Sequence, residues 1–330
     1  MNISKKIFDF ANLKNYLKFV PPSSETSIDE VFKLADFLKC NSPSLVLTGA
    51  GCSTASGIPD YRSPGIGSYS KGHKPVTYYQ FTRPDQSQCR RFWARNMLGF
   101  RMFQESKPNQ THICLASLLK KYPEHFSGLV TQNVDRLHHK AAHIIEPVGS
   151  SSMDTNSIVE LHGNNFEVIC LSCGQVTSRK LYQELLEAAN PRFLKTFETK
   201  SFDKLDIRSD GDILLESKTF EDFNVPPCQN CQTGQIKPNL VFFGESVKRE
   251  IVDSVYKLVK EKSKSLLVLG SSLEVFSSYR FVMAAYETGI PIAIVNIGPT
   301  RGDKMAKIKL STELGSTMSL LIDRFTSIIT

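Results

Sequence analysis

The sequence of 330 residues lacks several features that would place it in other classes of protein. No apolar run approaches the length of a membrane span, so a soluble protein is expected. Its 40 Lys and Arg exceed its 33 Asp and Glu only slightly and form no basic block, so no dedicated nucleic-acid surface is expected. No signal peptide is recognisable, so the eight cysteines are expected in a reducing compartment.

The first glycine-rich turn also lacks the third glycine of a dinucleotide-binding fingerprint. Leu45-Val46-Leu47 predicts a short buried strand, and Gly49 and Gly51 allow a tight turn directly after it. Thr54 occupies the third glycine position, and no second strand with an acidic end follows. Ser53 and Thr54 are predicted to cap a helix, whose N-terminus would bind a phosphate. An ordinary strand-to-helix turn remains the alternative.

Further apolar runs end in polar residues or glycine. They are 128–131 before Gln132-Asn133-Val134-Asp135, 266–269 before Gly270-Ser271-Ser272, and 291–295 before Asn296. They alternate with helical patterns over 28–40, 90–103, 111–122 and 279–288, which predicts an α/β fold with a doubly wound, Rossmann-like parallel sheet. The stretch 237–245 is expected to return to that sheet. Asn133 and Asp135 lie where ligands bind in such sheets, although both are equally able to cap the next helix.

Four cysteines form two close pairs of the metal-ligand type. Four thiolates complete a tetrahedral Zn²⁺ shell and leave no position for a catalytic water, so a structural zinc is expected. A redox dithiol or unrelated buried thiols are the alternatives. Between the pairs lie a helical run, 180–189, and an acidic loop, which together predict a smaller zinc-binding domain inserted into the main fold. The cysteines are Cys170, Cys173, Cys228 and Cys231.

The ordered set of motifs resembles the sirtuins, a family of NAD-dependent protein deacylases. The resemblance covers about Ser44 to Asp323 and is carried by 49–63, 131–135, Leu161-His162-Gly163, both cysteine pairs, 241–245, 270–275 and 296–298. Four stretches are most similar to the class II branch, which includes the fourth mammalian, mitochondrial sirtuin. They are Asp60-Tyr61-Arg62, 92–96, Asp210-Gly211-Asp212 and 289–300.

The resemblance implies roles for individual residues. His162 is the general base, and Asn133 and Asp135 hold the nicotinamide and its ribose. The implied NAD-binding residues are Gly49, Ala50, Gly51, Ser53, Thr54, Ile58, Pro59, Asp60, Tyr61, Arg62, Tyr69, Gln132, Asn133, Val134, Asp135, Gly270, Ser271, Ser272, Asn296, Ile297, Gly298 and Leu314. The substrate peptide is implied to add as a strand between two segments formed by Val241, Phe243, Gly244 and Glu245 and by Leu273, Glu274, Val275 and Phe276.

The implied reaction consumes NAD and releases the free lysine, nicotinamide and O-acyl-ADP-ribose. The helix over 90–103 has none of the tyrosine that desuccinylating relatives carry there, so strong desuccinylase activity is disfavoured. The resemblance to the class II branch implies acyl groups longer than acetyl, such as lipoyl, biotinyl or branched acyl. A mono-ADP-ribosyltransferase using the same NAD site is the main alternative. A non-catalytic scaffold is a third reading, since a fold alone does not prove activity.

The sequence divides into four segments under this interpretation. They are an N-terminal targeting or flexible segment, 1–22, the first part of the NAD-binding domain, 23–160, the zinc-binding domain with its insertion loop, 161–236, and the second part of the NAD-binding domain, 237–330. Lysines among apolar residues in the first 20 positions, together with the class II resemblance, favour the mitochondrial matrix over cytoplasm or nucleus. A monomer acting on acylated lysines of proteins is expected.

Overall fold

The computed structural model of the chain describes residues 18–70, 72, 74–145, 158–198 and 220–329. The predicted targeting segment up to residue 17 and the Asp210-Gly211-Asp212 insertion lie outside these residues. Among the helices within the described ranges, none has the length and apolar character needed to cross a membrane.

Six parallel strands form the main sheet, in the spatial order β3-β2-β1-β7-β8-β9. The chain starts in the middle, builds outward to one edge and then returns to build the other half, as dinucleotide-binding sheets do. The predicted Rossmann-like sheet is therefore confirmed. Its strands are β1 (Ser44–Thr48), β2 (Phe126–Thr131), β3 (Ile158–Glu160), β7 (Ser265–Leu269), β8 (Ile292–Val295) and β9 (Ile308–Leu310).

Helices cover both faces of this sheet because its central strands are apolar on both sides. In β1, Val46 packs into one core while Leu45 and Leu47 pack into the other. The first core is completed by α1 (Ile28–Cys40), α4 (Gln110–Lys121) and α10 (Leu314–Ile329), and the second by α8 (Arg249–Lys257) and α9 (Phe276–Glu287). The other α-helices in the described part of the chain are α2 (Tyr78–Phe81), α3 (Ser87–Glu105), α5 (Leu137–Ile145), α6 (Arg179–Ala189) and α7 (Pro191–Glu198).

A second, antiparallel sheet has the order β5-β4-β6, formed by β4 (Gly163–Cys170), β5 (Val176–Ser178) and β6 (Ile236–Leu240). The expectation that 237–245 returns to the main sheet is therefore wrong for residues 237–240. The pairing of β6 with β4 keeps the chain beside the cysteine pairs until Leu240, because Ile236 is aligned with Cys170. Helix α3 packs on this sheet through Phe92 and Trp93.

Candidate active site

The glycine turn after β1 brings two loops of the main sheet into close contact. A Cβ atom at Gly49 would lie 2.7 Å from the Gly270 carbonyl oxygen, and one at Gly51 would lie 2.9 Å from the same oxygen. The Gly51 backbone N–H donates to that oxygen at 2.9 Å. The two glycines are thus required for the close approach of the loops that follow β1 and β7.

The helix predicted to begin after this turn does not form. Two short 3₁₀ turns, Ala50–Cys52 and Thr54–Ser56, take its place, and neither has a side-chain cap. The Thr54 hydroxyl donates instead to the Gly51 carbonyl oxygen at 3.0 Å. Side-chain hydrogen bonds of this kind compete with helix capping, which explains the difference. The predicted anion site at an α-helix N-terminus is therefore wrong, although the loop itself lines a pocket.

An inner pocket lies between this loop and the loop that follows β2. Its nine lining residues all belong to the set predicted from the sequence to bind NAD: Ala50, Ser53, Ile58, Pro59, Tyr61, Gln132, Asn133, Val134 and Asp135. The carboxyl ends of β1 and β2 supply most of them, as expected for a ligand site in an open parallel sheet.

Buried polar side chains connect the two walls of the inner pocket. Asn133 donates from Nδ2 to the Gly49 carbonyl oxygen at 3.0 Å and to Ser53 Oγ at 3.1 Å. Ser53 Oγ donates to Asp135 Oδ2 at 2.6 Å. Burial raises the pKa of the Asp135 carboxyl above its usual range, although the hydrogen bonds from Ser53 and Leu137 oppose that shift. The pocket thus holds an amide and a carboxyl group in fixed positions.

The capping alternative proposed for Asn133 and Asp135 is correct for one of them. Asp135 Oδ1 accepts from the Leu137 backbone N–H at 2.9 Å, at the start of α5. Asp135 therefore supports the helix with one oxygen and the pocket with the other, whereas the side-chain amide of Asn133 serves the pocket.

An outer pocket lies on the other side of the glycine turn. Seven of its lining residues were predicted: Gly51, Thr54, Asp60, Gly270, Asn296, Ile297 and Leu314. Eight were not: Val20, Pro21, Cys52, Ala55, Ser63, Thr111, Thr312 and Glu313. Cys52, Ala55 and Ser63 lie within the recognised motif and were within reach of sequence reasoning, whereas the others come from segments that carry no motif. Six of the residues predicted to bind NAD line neither pocket: Gly49, Arg62, Tyr69, Ser271, Ser272 and Gly298.

His162 lies at the junction of the two sheets, between β3 and β4. Its Nδ1 is 3.0 Å from the Gln132 carbonyl oxygen, and its Nε2 is 2.7 Å from Ser277 Oγ. Gly163 follows with a φ of 70°, and a Cβ atom there would lie 2.1 Å from the Asn239 carbonyl oxygen. Desolvation lowers the pKa of His162 below its usual range, so the ring stays neutral at neutral pH.

Three aromatic rings join the loop after β1 to the segment after β6. Tyr61 lies 5.5 Å from Tyr69 and 6.5 Å from Phe243, and Tyr69 lies 6.4 Å from Phe243, between ring centroids. Asp60 shapes this loop because its Oδ1 accepts from the backbone N–H groups of Arg62 and Ser63. Such tilted and edge-on pairs stabilise a contact beyond the area that they bury.

The two segments predicted to hold a peptide, which are distant from His162 along the chain, lie close to it in space. The Val241 backbone N–H donates to the His162 carbonyl oxygen at 2.8 Å, and Phe243 and Phe276 are exposed. Glu245 has a different environment, since its Oε2 accepts from the Phe242 backbone N–H at 2.9 Å and pairs with Lys237 at 3.1 Å. The Glu245 carboxylate therefore stabilises the conformation of its own segment.

The four predicted cysteine ligands converge at the end of the small sheet. Their sulfur atoms lie within 4.8 Å of one another, with 3.6 Å between Cys170 and Cys231 and 3.8 Å between Cys173 and Cys228. Sulfur atoms bound tetrahedrally to zinc at about 2.3 Å lie about 3.8 Å apart, so the cluster fits that ion. Backbone N–H groups of Thr233 and Gly234 lower the pKa of the Cys231 thiol to about 6. The donor set therefore suits a structural zinc.

Comparison with known proteins places this fold and site in one family. The model of the Sir2 family matches residues 49–277. The chain therefore belongs to the sirtuins, and the resemblance found in its motifs is confirmed.

Among its relatives is the NAD-dependent protein deacylase Sirt4 of Drosophila melanogaster, 41% identical over 307 residues, or 93% of this chain and 91% of the relative. The mitochondrial NAD-dependent protein lipoamidase sirtuin-4 of Bos taurus is also 41% identical, over 93% of this chain and 90% of the relative. Two solved structures, a Sir2 complex with a p53 peptide and NAD+ and Sir2Tm bound to a propionylated peptide, match with TM-scores of 0.62 and 0.61. Each is 26% identical and covers 90% of this chain and 98% of its own.

Proposed function

We propose that this chain is an NAD-dependent protein-lysine deacylase that transfers the acyl group of a modified lysine to ADP-ribose and releases nicotinamide. The observation that carries the proposal is the inner pocket, whose Gln132 carbonyl anchors the imidazole of His162. Family membership and the printed names of the two relatives support the same activity.

The two pockets are proposed to hold the two halves of NAD. The outer pocket would hold the adenosine diphosphate part against Gly51, Thr54 and Asn296. The inner pocket would hold nicotinamide and its ribose, because Asn133 and Asp135 supply the amide and carboxyl groups that can bind a carboxamide and hydroxyls. When bound, NAD supplies a glycosidic carbon that becomes electrophilic as nicotinamide leaves.

His162 is proposed to act as the general base on a ribose hydroxyl. A base must be unprotonated before it can accept a proton, and the lowered pKa of His162 keeps its ring neutral. Its Nδ1 faces a carbonyl oxygen, which only accepts hydrogen bonds, so Nε2 carries the lone pair. Asn133 and Asp135 are proposed to orient the same ribose from the inner pocket.

An acylated lysine of a protein substrate is proposed as the partner of the exposed segments around Phe243 and Phe276. One edge of the first segment is already paired, since the Phe243 carbonyl oxygen accepts from the Tyr78 backbone N–H at 2.9 Å. An extended peptide would add along the remaining backbone groups, with 273–276 on its other side. We propose that the protein works as a monomer, which sedimentation analysis tests.

An acyl group longer than acetyl is proposed as the preferred substrate. Helix α3 has no tyrosine to bind a second carboxylate. Its Phe92 is buried against Phe81 and Phe242, and its Trp93 against Tyr182. One relative is named a lipoamidase, which supports a long, neutral acyl chain. Acetyl-lysine turned over faster than lipoyl- and methylglutaryl-lysine would contradict this preference.

The zinc is proposed to be structural, and the predicted segment 161–236 to form the inserted small domain together with the rest of β6, which pairs with β4 up to Leu240. We also propose the mitochondrial matrix as the location, because the bovine and human relatives are named mitochondrial. Cell fractionation of the full chain tests the location, and recovery with cytosolic markers would contradict it.

Nicotinamide release from NAD tests the activity. Wild type and His162→Ala are compared on lipoyl-, methylglutaryl-, acetyl- and unmodified lysine peptides of one sequence. Release that requires an acyl peptide and is strongly reduced in the variant supports the deacylase. Release without an acyl peptide, with label from NAD on protein, would establish a mono-ADP-ribosyltransferase instead, and no release at all would indicate a scaffold.

A further inference from the structure

The nitrogen of His162 that must receive a proton already has a partner. The Nδ1 atom lies 3.0 Å from the Gln132 carbonyl oxygen, so Nδ1 carries the hydrogen and Nε2 the lone pair. The Nε2 atom lies 2.7 Å from Ser277 Oγ. In this tautomer the serine is the only possible donor of that bond. Ser277 therefore donates its hydroxyl hydrogen to the basic lone pair.

This contact is a tertiary one, unlike those of neighbouring hydroxyls. Ser277 is the second residue of α9, whereas His162 precedes β4, 115 positions earlier in the chain. The adjacent Ser278 makes a local bond, from its Oγ to the Val275 carbonyl oxygen at 3.0 Å. The hydroxyl of Ser277 thus fixes the ring of His162 to the helix that follows the proposed peptide segment, 273–276.

We propose that Ser277 is a positioning residue for the base, whose hydroxyl holds His162 Nε2 in the orientation that the ribose hydroxyl takes over during acyl transfer. This inference rests on the proposed deacylase function. An uncharged hydroxyl suits the task because it satisfies the lone pair without stabilising the protonated ring, as a carboxylate would. When the ribose hydroxyl replaces the Ser277 hydroxyl at His162 Nε2, one hydrogen bond is exchanged for a similar one.

Loss of the Ser277 hydroxyl should affect one stage of the reaction, the acyl transfer. Loss of nicotinamide needs the inner pocket, whereas transfer of the acyl group to the ribose needs the base. Ser277 touches the base and is absent from the residues that line the inner pocket. Its removal should therefore slow acyl transfer more than the acyl-peptide-dependent exchange of labelled nicotinamide into NAD.

The test compares Ser277→Ala, Ser277→Thr and the neighbouring control Ser278→Ala in the full chain. We expect Ser277→Ala to lower the kcat of acyl transfer by about tenfold, because a misplaced base loses rate steeply, and to leave nicotinamide exchange within about twofold of wild type. Threonine, which keeps the hydroxyl, should restore most of the rate. Ser278→Ala should leave the ratio of exchange to transfer unchanged.

Equal loss of exchange and transfer in Ser277→Ala would show a merely structural role, and an unchanged or faster kcat would also overturn the inference. Wild type without acyl-peptide-dependent nicotinamide release would instead overturn the proposed function. A readout that needs no turnover is the long-range ¹H–¹⁵N spectrum of histidine-labelled protein, with His162 assigned by its loss in His162→Gln. The Nε2 resonance should shift in Ser277→Ala, and an unshifted resonance would contradict the hydrogen bond.

Discussion

The inner pocket and the four-cysteine cluster are both polar sites, but different interactions hold them together. In the pocket, side chains from the ends of β1 and β2 are bonded to one another, through Asn133, Ser53 and Asp135. In the cluster, two short loops bring four sulfur atoms together, and the sulfurs face one another at 3.6 Å and 3.8 Å.

This difference indicates what each site contributes. The pocket is organised by the main sheet, so loss of a side chain that serves only the pocket should reduce activity far more than stability. Asp135 is the exception, because it also caps α5. The cluster has weak hydrogen bonds among its own thiols, and a bound metal supplies folding free energy directly in such sites.

His162→Ala should lower kcat/KM for deacylation by roughly 10² to 10⁴, the usual contribution of a general base. Its unfolding free energy should stay within about 1 kcal/mol of wild type, because the pocket does not depend on this ring. The control is His143→Ala, at an exposed histidine of α5. Steady-state kinetics measures kcat/KM, and urea unfolding measures the unfolding free energy. A strongly destabilised His162→Ala would contradict the difference between the inner pocket and the cysteine cluster.

Wild type is expected to carry one zinc ion per chain. Cys228→Ser should lose this ion and be destabilised by about 4 kcal/mol or more. Cys228 is buried, so a hydroxyl there replaces a soft thiolate ligand without space to rearrange. Metal analysis and urea unfolding measure the effect, with Cys40→Ser, at an exposed cysteine outside the cluster, as the control. Full stability after removal of zinc by a chelator would contradict a structural role.

Gly163→Ala should destabilise the protein by about 2 to 5 kcal/mol, because the new Cβ atom adds a steric clash to an unfavourable backbone conformation. Gly65 is a matched control, with a φ of 74° and open space where its Cβ would lie. Gly65→Ala should therefore cost only the conformational part, about 1 kcal/mol. Similar unfolding free energies for the two variants would show that the close contact with Asn239 is unimportant.

The unfolding free energy should decrease as the pH falls below about 6.5. Burial lowers the pKa of His138 to about 3 and that of His112 well below its usual range. The unfolded chain therefore binds more protons than the folded chain below pH 6.5, and protonation favours unfolding. His138 should contribute about 2 kcal/mol of this decrease between pH 6.5 and pH 5, and His112 acts in the same direction. Urea unfolding at several pH values should show that the unfolding free energy decreases by about 2 kcal/mol less in His138→Gln than in wild type. The same decrease in both proteins would show that protonation of His138 does not destabilise the fold.

The sequence was most informative where a motif and its surroundings are local. The cysteine pairs and the residues after β1 and β2 could be predicted because spacing and strand ends determine where they meet. The two 3₁₀ turns could not, since the hydroxyls of Ser53 and Thr54 prefer tertiary or local partners to a helix cap. The place of β6 depends on its pairing with β4, and Ser277 meets His162 only in the folded chain.

Analysis of the reaction products by mass spectrometry tests whether the acyl group is transferred to ADP-ribose. A lipoyl-lysine peptide is incubated with NAD and the wild-type protein, and the products are quantified. We expect equal amounts of nicotinamide, free-lysine peptide and lipoyl-ADP-ribose. Free lipoic acid as the first product, or ADP-ribose attached to protein in place of acyl-ADP-ribose, would contradict acyl transfer to ADP-ribose at this site.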